Sequence, residues 1–138
     1  VSPDGRELLF ASDRARPGGP HHLYWSRRDA SGHWGVPVVV RGGDASRFEF
    51  DPCWIGDERR IALSRSRDPG EGSELWQARI DHDGRLHDVE SMPAPFNNAS
   101  GWAFGCAWRP SAPQWIYIST VLGDAPQRLD IHPLRLPR

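Results

Sequence analysis

Nowhere in the 138 residues is there an apolar stretch approaching the roughly 20 residues that a helix needs to cross a bilayer. Nor does the chain open with a basic region followed by a hydrophobic run. The first absence predicts no direct membrane span; the second leaves a signal peptide out of view. Charge of one sign is not in excess either: 17 basic against 18 acidic residues give a formal net charge of −1. Such a balance offers no general attraction to polyanions, and no nucleic-acid partner is expected. Cysteine is scarce, and Cys53 and Cys106 fit no zinc pattern, in which ligands pair about two to four residues apart. Also missing are a Gly-x-Ser-x-Gly nucleophile elbow, a His-Glu-x-x-His helix and a glycine-rich phosphate loop. The sequence therefore calls for no cofactor, no metal and no catalytic residue, and it leans away from an enzyme.

What is present is turn chemistry and bulk. Fourteen glycines, 13 prolines and seven tryptophans describe short strands between tight turns, whereas a helical bundle would favour Ala, Leu, Glu and Lys. The pattern also repeats. Ser2 to Arg14 aligns without gaps on Ile55 to Arg67, each a polar turn leading into a short apolar strand. Leu23-Tyr24-Trp25 matches Leu75-Trp76-Gln77. A third copy pairs Trp54 with Trp108, Ile61-Ala62-Leu63 with Trp115-Ile116-Tyr117, and Leu75 with Leu129. Phe48 and Phe50 recur as Trp102 and Phe104.

A period near 53 residues with about four strands per unit marks propeller blades rather than helical solenoids. In the second unit the strands are expected at Phe48 to Trp54, Ile61 to Arg65, Leu75 to Ile80 and Leu86 to Val89. They are separated by Gly56-Asp57, Asp68-Pro69-Gly70 and Asp81-His82-Asp83-Gly84. The prediction is an all-β partial propeller of about two and a half to three four-stranded antiparallel blades, with repeats at approximately 1–45, 46–97 and 98–138. One small twisted sheet cannot bury both faces, but stacked sheets can. Leu8, Phe10, Trp54, Ile61, Leu63, Trp108, Trp115 and Tyr117 are expected to fill the spaces between them, each worth about 1.5–3 kcal/mol if fully buried. The alignment puts Cys53 and Cys106 on neighbouring inner strands one position out of register. Buried thiols are therefore expected, with a disulfide as the alternative that this offset disfavours.

Ser2-Pro3-Asp4-Gly5, then Leu8-Leu9-Phe10-Ala11-Ser12-Asp13-Arg14 and Leu23-Tyr24, resemble the WD40-like (PD40) repeat of TolB-like propellers. The extension Gly32-His33-Trp34-Gly35-Val36-Pro37 is similar to the version found beside OmpA-type domains in bacterial envelope proteins. The second copy departs from the motif at Ile55-Gly56-Asp57-Glu58, and the third at Arg109-Pro110-Ser111-Ala112. The resemblance implies a propeller of six or more blades, periplasmic or extracellular, that serves protein interactions or stands in front of a catalytic domain. Because the chain opens in mid-repeat, it is expected to be part of a larger propeller or to associate with other copies.

Several local patterns suggest sites and read better as structure. Asp13-Arg14 and Arg65-Ser66-Arg67 end equivalent strands and are expected to close loops. His21-His22 would point to opposite faces of a strand, which is awkward for one metal ion. Asp81 to Gly84 lacks the further oxygen ligands of a calcium loop, and Ser26 to Trp34 misses an Asp-box by one residue at each spacing. A real site should show where the copies differ, since shared residues serve the fold. On that basis Arg47, Glu49, Asp51 and Trp102 are the candidate binding residues of a channel-side surface; Ala103 and Gly105 stand where Glu49 and Asp51 would recur. The leading expectation is a non-catalytic protein-interaction or scaffold module of a bacterial envelope protein. The alternatives are a substrate-gating propeller domain of a larger serine peptidase of the prolyl oligopeptidase type and, behind it, a carbohydrate-active propeller.

Overall fold

The computed structural model describes residues 1–56, 59–68, 70–98, 101–121 and 129–136. Asp57, Glu58 and Pro69, which belong to the turns expected from the sequence, lie outside these. Among the described residues the chain is all β, with ten strands in three antiparallel sheets, none of them closed. The first sheet holds β1 (Glu7–Ser12), β2 (His22–Arg27) and β3 (Val38–Val39). The second holds β4 (Phe48–Trp54), β5 (Arg60–Ser66), β6 (Glu74–Ile80) and β7 (Leu86–Ser91). The third holds β8 (Ala103–Trp108), β9 (Trp115–Thr120) and β10 (Asp130–Arg135). Only the second sheet has the expected four strands; the first and third have three each among the described residues. No helix among these residues is long and apolar enough to cross a membrane.

The sheets stack face to face around two apolar clusters. Leu9, Leu23 and Trp25 of the first sheet meet Trp54, Ile61, Leu63 and Ile80 of the second. On the other side Ala62, Leu75, Met92 and Phe96 meet Ala103, Ile116, Ile118 and Leu134 of the third. The second sheet is thus covered on both faces, which explains why β5 is buried almost without interruption instead of alternating. Pairing of the loops with strand edges binds the sheets further. Ser73 N donates to Gly101 O and Ala103 N to Ser73 O, while Arg41 N donates to Gly84 O and Leu86 N to Arg41 O.

Register corrects the expected core in the third sheet. Trp54 lies opposite Ile61 and Trp108 opposite Ile116, so Ile116, not Trp115, is the counterpart of Ile61. The turn from β8 to β9 carries one residue more than that from β4 to β5. A slip of one residue sends every side chain to the other face. Accordingly Ile116 and Ile118 are wholly buried, while Trp115 and Tyr117 lie half-buried on the outer face. The same register pairs Ile131 with Ser119, making Ile131 rather than Leu129 the counterpart of Leu75. Leu8 and Phe10 are likewise half-buried on the outer face of the first sheet; Leu9 is the residue that enters the core.

The cysteines also differ from expectation, for they form a disulfide with a Cα–Cα distance of 5.8 Å. Cys53 lies opposite Ala62 and Cys106 opposite Ile118, and both of these neighbours belong to the cluster between the second and third sheets. Stacked sheets confront each other with opposite faces. Residues one position apart in the repeat alignment therefore point toward each other, and the offset that would prevent bridging within one sheet permits it between two.

Candidate functional site

The edge strands β4 and β8 each carry a bulge, between Phe50 and Cys53 and between Phe104 and Cys106. The extra residue has a left-handed backbone in both, Asp51 at φ 47° and Gly105 at φ 59°. Glycine is the ordinary occupant of such a position, and aspartate is one of the few side chains that tolerate it. The bulges lie beside a cleft of about 480 Å³ where the three sheets converge. Phe48, Phe50, Trp102 and Phe104 supply aromatic walls, with Ala11 from β1, His21 from the position just before β2, and Gly72 and Ser73 from the loop before β6. Among the described residues that line the cleft, Asp51 supplies the only carboxylate and none is an arginine.

Local contacts fix the walls. His21 meets Phe48 edge to face at a ring separation of 6.4 Å, and Trp102 meets Phe104 at 6.5 Å. Thr120 Oγ1 donates to Trp102 O at 2.7 Å and accepts from Asn98 Nδ2. Gly72 is required by close approach, since a Cβ there would stand 2.3 Å from Gly101 O. Gly105 also matters for access: a Cβ at this position would lie 3.9 Å from Asp51 Oδ2, so its lack of a side chain leaves the carboxylate uncovered on that side.

Of the four residues singled out from the sequence, Asp51 and Trp102 share this cleft. Arg47 lines a smaller adjoining recess of about 240 Å³ with Arg65, Ser66 and Arg67; the two cavities have Gly72 and Ser73 in common. There Arg47 Nε lies 3.2 Å from Asp44 and its guanidinium 5.7 Å from the Trp76 ring centre. Hydrogen bonds from the Ser46 hydroxyl and amide hold the Asp44 carboxyl below its ordinary value, and the Arg65 and Arg47 charges add to this. Glu49 is not among the lining residues of the cleft. It is buried and accepts from Arg65 Nε and Nη2 at 3.0 and 2.8 Å and from Asp44 N at 3.0 Å, all on Oε1.

The remaining patterns resolve into local structure. Asp13 accepts from Gly18 N, and Arg14 stacks over Phe10 and Tyr24 at 4.8 Å. Asp29 gathers the Ser31 hydroxyl and amide and the His33 amide. Asp81 accepts from the Asp83 and Arg85 amides within the β6–β7 turn. A network with no counterpart in the sequence reading centres on Glu7. This buried carboxylate receives Arg59 Nη1 and Nη2, from the turn that leads into β5, at 3.1 and 2.6 Å, and the Trp25 indole N–H at 3.1 Å. Arg59 Nε also donates to Ile80 O at 2.6 Å.

No family model matches the chain, and no curated protein matches it.

Proposed function

We propose that these sheets are blades of a TolB-like β-propeller and that the chain serves as a non-catalytic protein-binding or scaffold module. The propeller reading is supported by three antiparallel sheets stacked face to face with β4 lying between β1 and β8, and by the repeat of bulges at Asp51 and Gly105. The binding reading rests on one observation: the aromatic cleft lies where the sheets converge, and its walls come from equivalent positions, Phe48 with Trp102 and Phe50 with Phe104. Open, mainly apolar clefts with few polar groups are the usual form of a binding site. The Cys53–Cys106 disulfide favours an oxidising compartment, in keeping with a periplasmic or extracellular location in a bacterial envelope.

Selection of displayed random peptides against the chain tests this reading, with Trp102→Ala as the counter-target and its thermal midpoint as the control for folding. Enrichment of a shared motif that the variant no longer retains supports it. Failure to enrich any motif, or a motif that ignores the substitution, refutes it.

A further inference from the structure

The carboxylate of Asp51 is exposed and makes no hydrogen bond or ion pair among the described residues, although its backbone occupies a conformation that glycine adopts at the equivalent position. Nothing in the bulge itself calls for an aspartate there. Its setting gives it a different meaning: one negative charge among four aromatic rings, with no arginine among the described residues that line the space.

Elsewhere the chain supplies its own cations to its rings. Arg28 lies 4.5 Å from the centre of Trp34, Arg65 lies 4.7 Å from Trp76, and Arg59 lies 5.6 Å from Trp54. Phe48, Phe50 and Phe104 carry no such arginine among the described residues. A ring face attracts a cation electrostatically, and more strongly where water is excluded. A carboxylate at the edge of the same space supplies the counter-charge. A cleft of about 480 Å³ admits the end of a long side chain together with its flanking backbone.

We propose that the cleft takes a basic side chain, lysine or arginine, from a protein partner, with Asp51 as counter-ion and the Phe48, Phe50, Trp102 and Phe104 rings as walls. This rests on the reading of the cleft as a peptide-binding site and specifies the chemistry of what enters it. The long aliphatic stem of either residue suits the apolar walls, while the charged end meets the carboxylate.

The test uses three blocked pentapeptides, glycine throughout except for a central lysine, arginine or norleucine. Norleucine keeps the stem and removes the charge. Each is titrated into the full chain while the Asp51 amide and Trp102 indole resonances are followed by NMR. The expected result is saturable binding of a basic peptide about tenfold tighter than the norleucine peptide. That preference should be lost in Asp51→Gly and in Asp51→Asn. Gly105 shows that a glycine fits this bulge, so Asp51→Gly should leave the thermal midpoint unchanged or raised, and the asparagine variant keeps the side-chain volume. Equal binding of the three peptides, or a charge preference that survives both substitutions, would overturn the proposal while leaving the cleft a binding site. Absence of binding by all three overturns it as well. The displayed peptides then separate the two readings, because a motif that still depends on Trp102 keeps the cleft as a site and discards only its charge preference.

Discussion

Single residues hold this chain together in two ways, by buried ion pairs and by turn aspartates. Glu7 and Arg59 join the first sheet to the second through a pair whose carboxylate is almost wholly enclosed. Removing one partner of a buried pair strands the other and typically costs about 3–5 kcal/mol. Because Arg59 is partly exposed, Arg59→Ala is expected at the lower end of that range in denaturant unfolding, and a loss below about 1 kcal/mol would mean that water replaces the guanidinium. The turn aspartates contribute to acid sensitivity. The carboxyls of Asp4, Asp29 and Asp81 sit below their ordinary value of 3.8, held there by the Ser2, Ser31 and His87 side chains respectively, with backbone amides adding to each. A carboxyl depressed in the folded state contributes stability above its unfolded value, and that contribution fades as pH falls through the folded one. The thermal midpoint is therefore expected to hold down to about pH 4 and to drop between about pH 4 and 2. Asp81→Asn should flatten part of that drop; an unchanged slope would exclude the turn as its source.

Strands at equivalent positions fare differently according to what covers them. Leu75 of β6 and Ile131 of β10 occupy the same place in their sheets, yet Leu75 is 0% exposed and Ile131 is 72% exposed. The third sheet lies over the first of these, and no described residue covers the second. Leu75→Ala is expected to cost about 2–5 kcal/mol as a core truncation. Ile131→Ala should stay within about 0.5 kcal/mol, and paired urea titrations read the difference directly. A comparable loss at both positions would show that Ile131 is covered in solution. The four strands of the second sheet were legible in the sequence because apolar runs and Gly, Pro and Asp turns bound each of them. The placement of β9 was not, since one added turn residue shifts the face of Ile116 and Ile118 without disturbing the spacing of hydrophobics. The aromatic half of the cleft was legible in the recurrence of Phe48 and Phe50 as Trp102 and Phe104. The contributions of His21, Gly72 and Ser73 were not, because they come from other elements that only the stacking of sheets brings together. Glu49 illustrates the same limit: a charged residue on an inner strand reads as a contact, and only the fold reveals Arg65 on the neighbouring strand. Glu7 and Arg59 sit in ordinary polar stretches, so nothing local marked them as a pair.

At the scale of the whole molecule, three small sheets depend on one another, and one covalent bond crosses between two of them. Cys53 and Cys106 are 53 residues apart. Restricting the unfolded chain over a loop of that length contributes about 4 kcal/mol in the chain-entropy model. Reduction, or the double substitution Cys53→Ala with Cys106→Ala, is expected to lower stability by up to this amount. Denaturant titration with and without reductant measures it, and an effect under about 1 kcal/mol would mean that the apolar cluster and the backbone bonds of Ser73 to Gly101 and Ala103 fix the two sheets without it.

The disulfide also sets how the molecule yields to force. Pulled from its two ends, the chain can release the segments outside residues 53 and 106, but the loop between the cysteines is bypassed by the bond and bears no tension. About 53 residues of extended backbone, roughly 180 Å, are thereby withheld from the contour length until a reductant reaches the sulfurs. The bond acts as a latch: β5, β6 and β7, which lie wholly within this loop, become mechanically reachable only once redox chemistry opens it, whereas Phe48 to Pro52 of β4 can be drawn away before it.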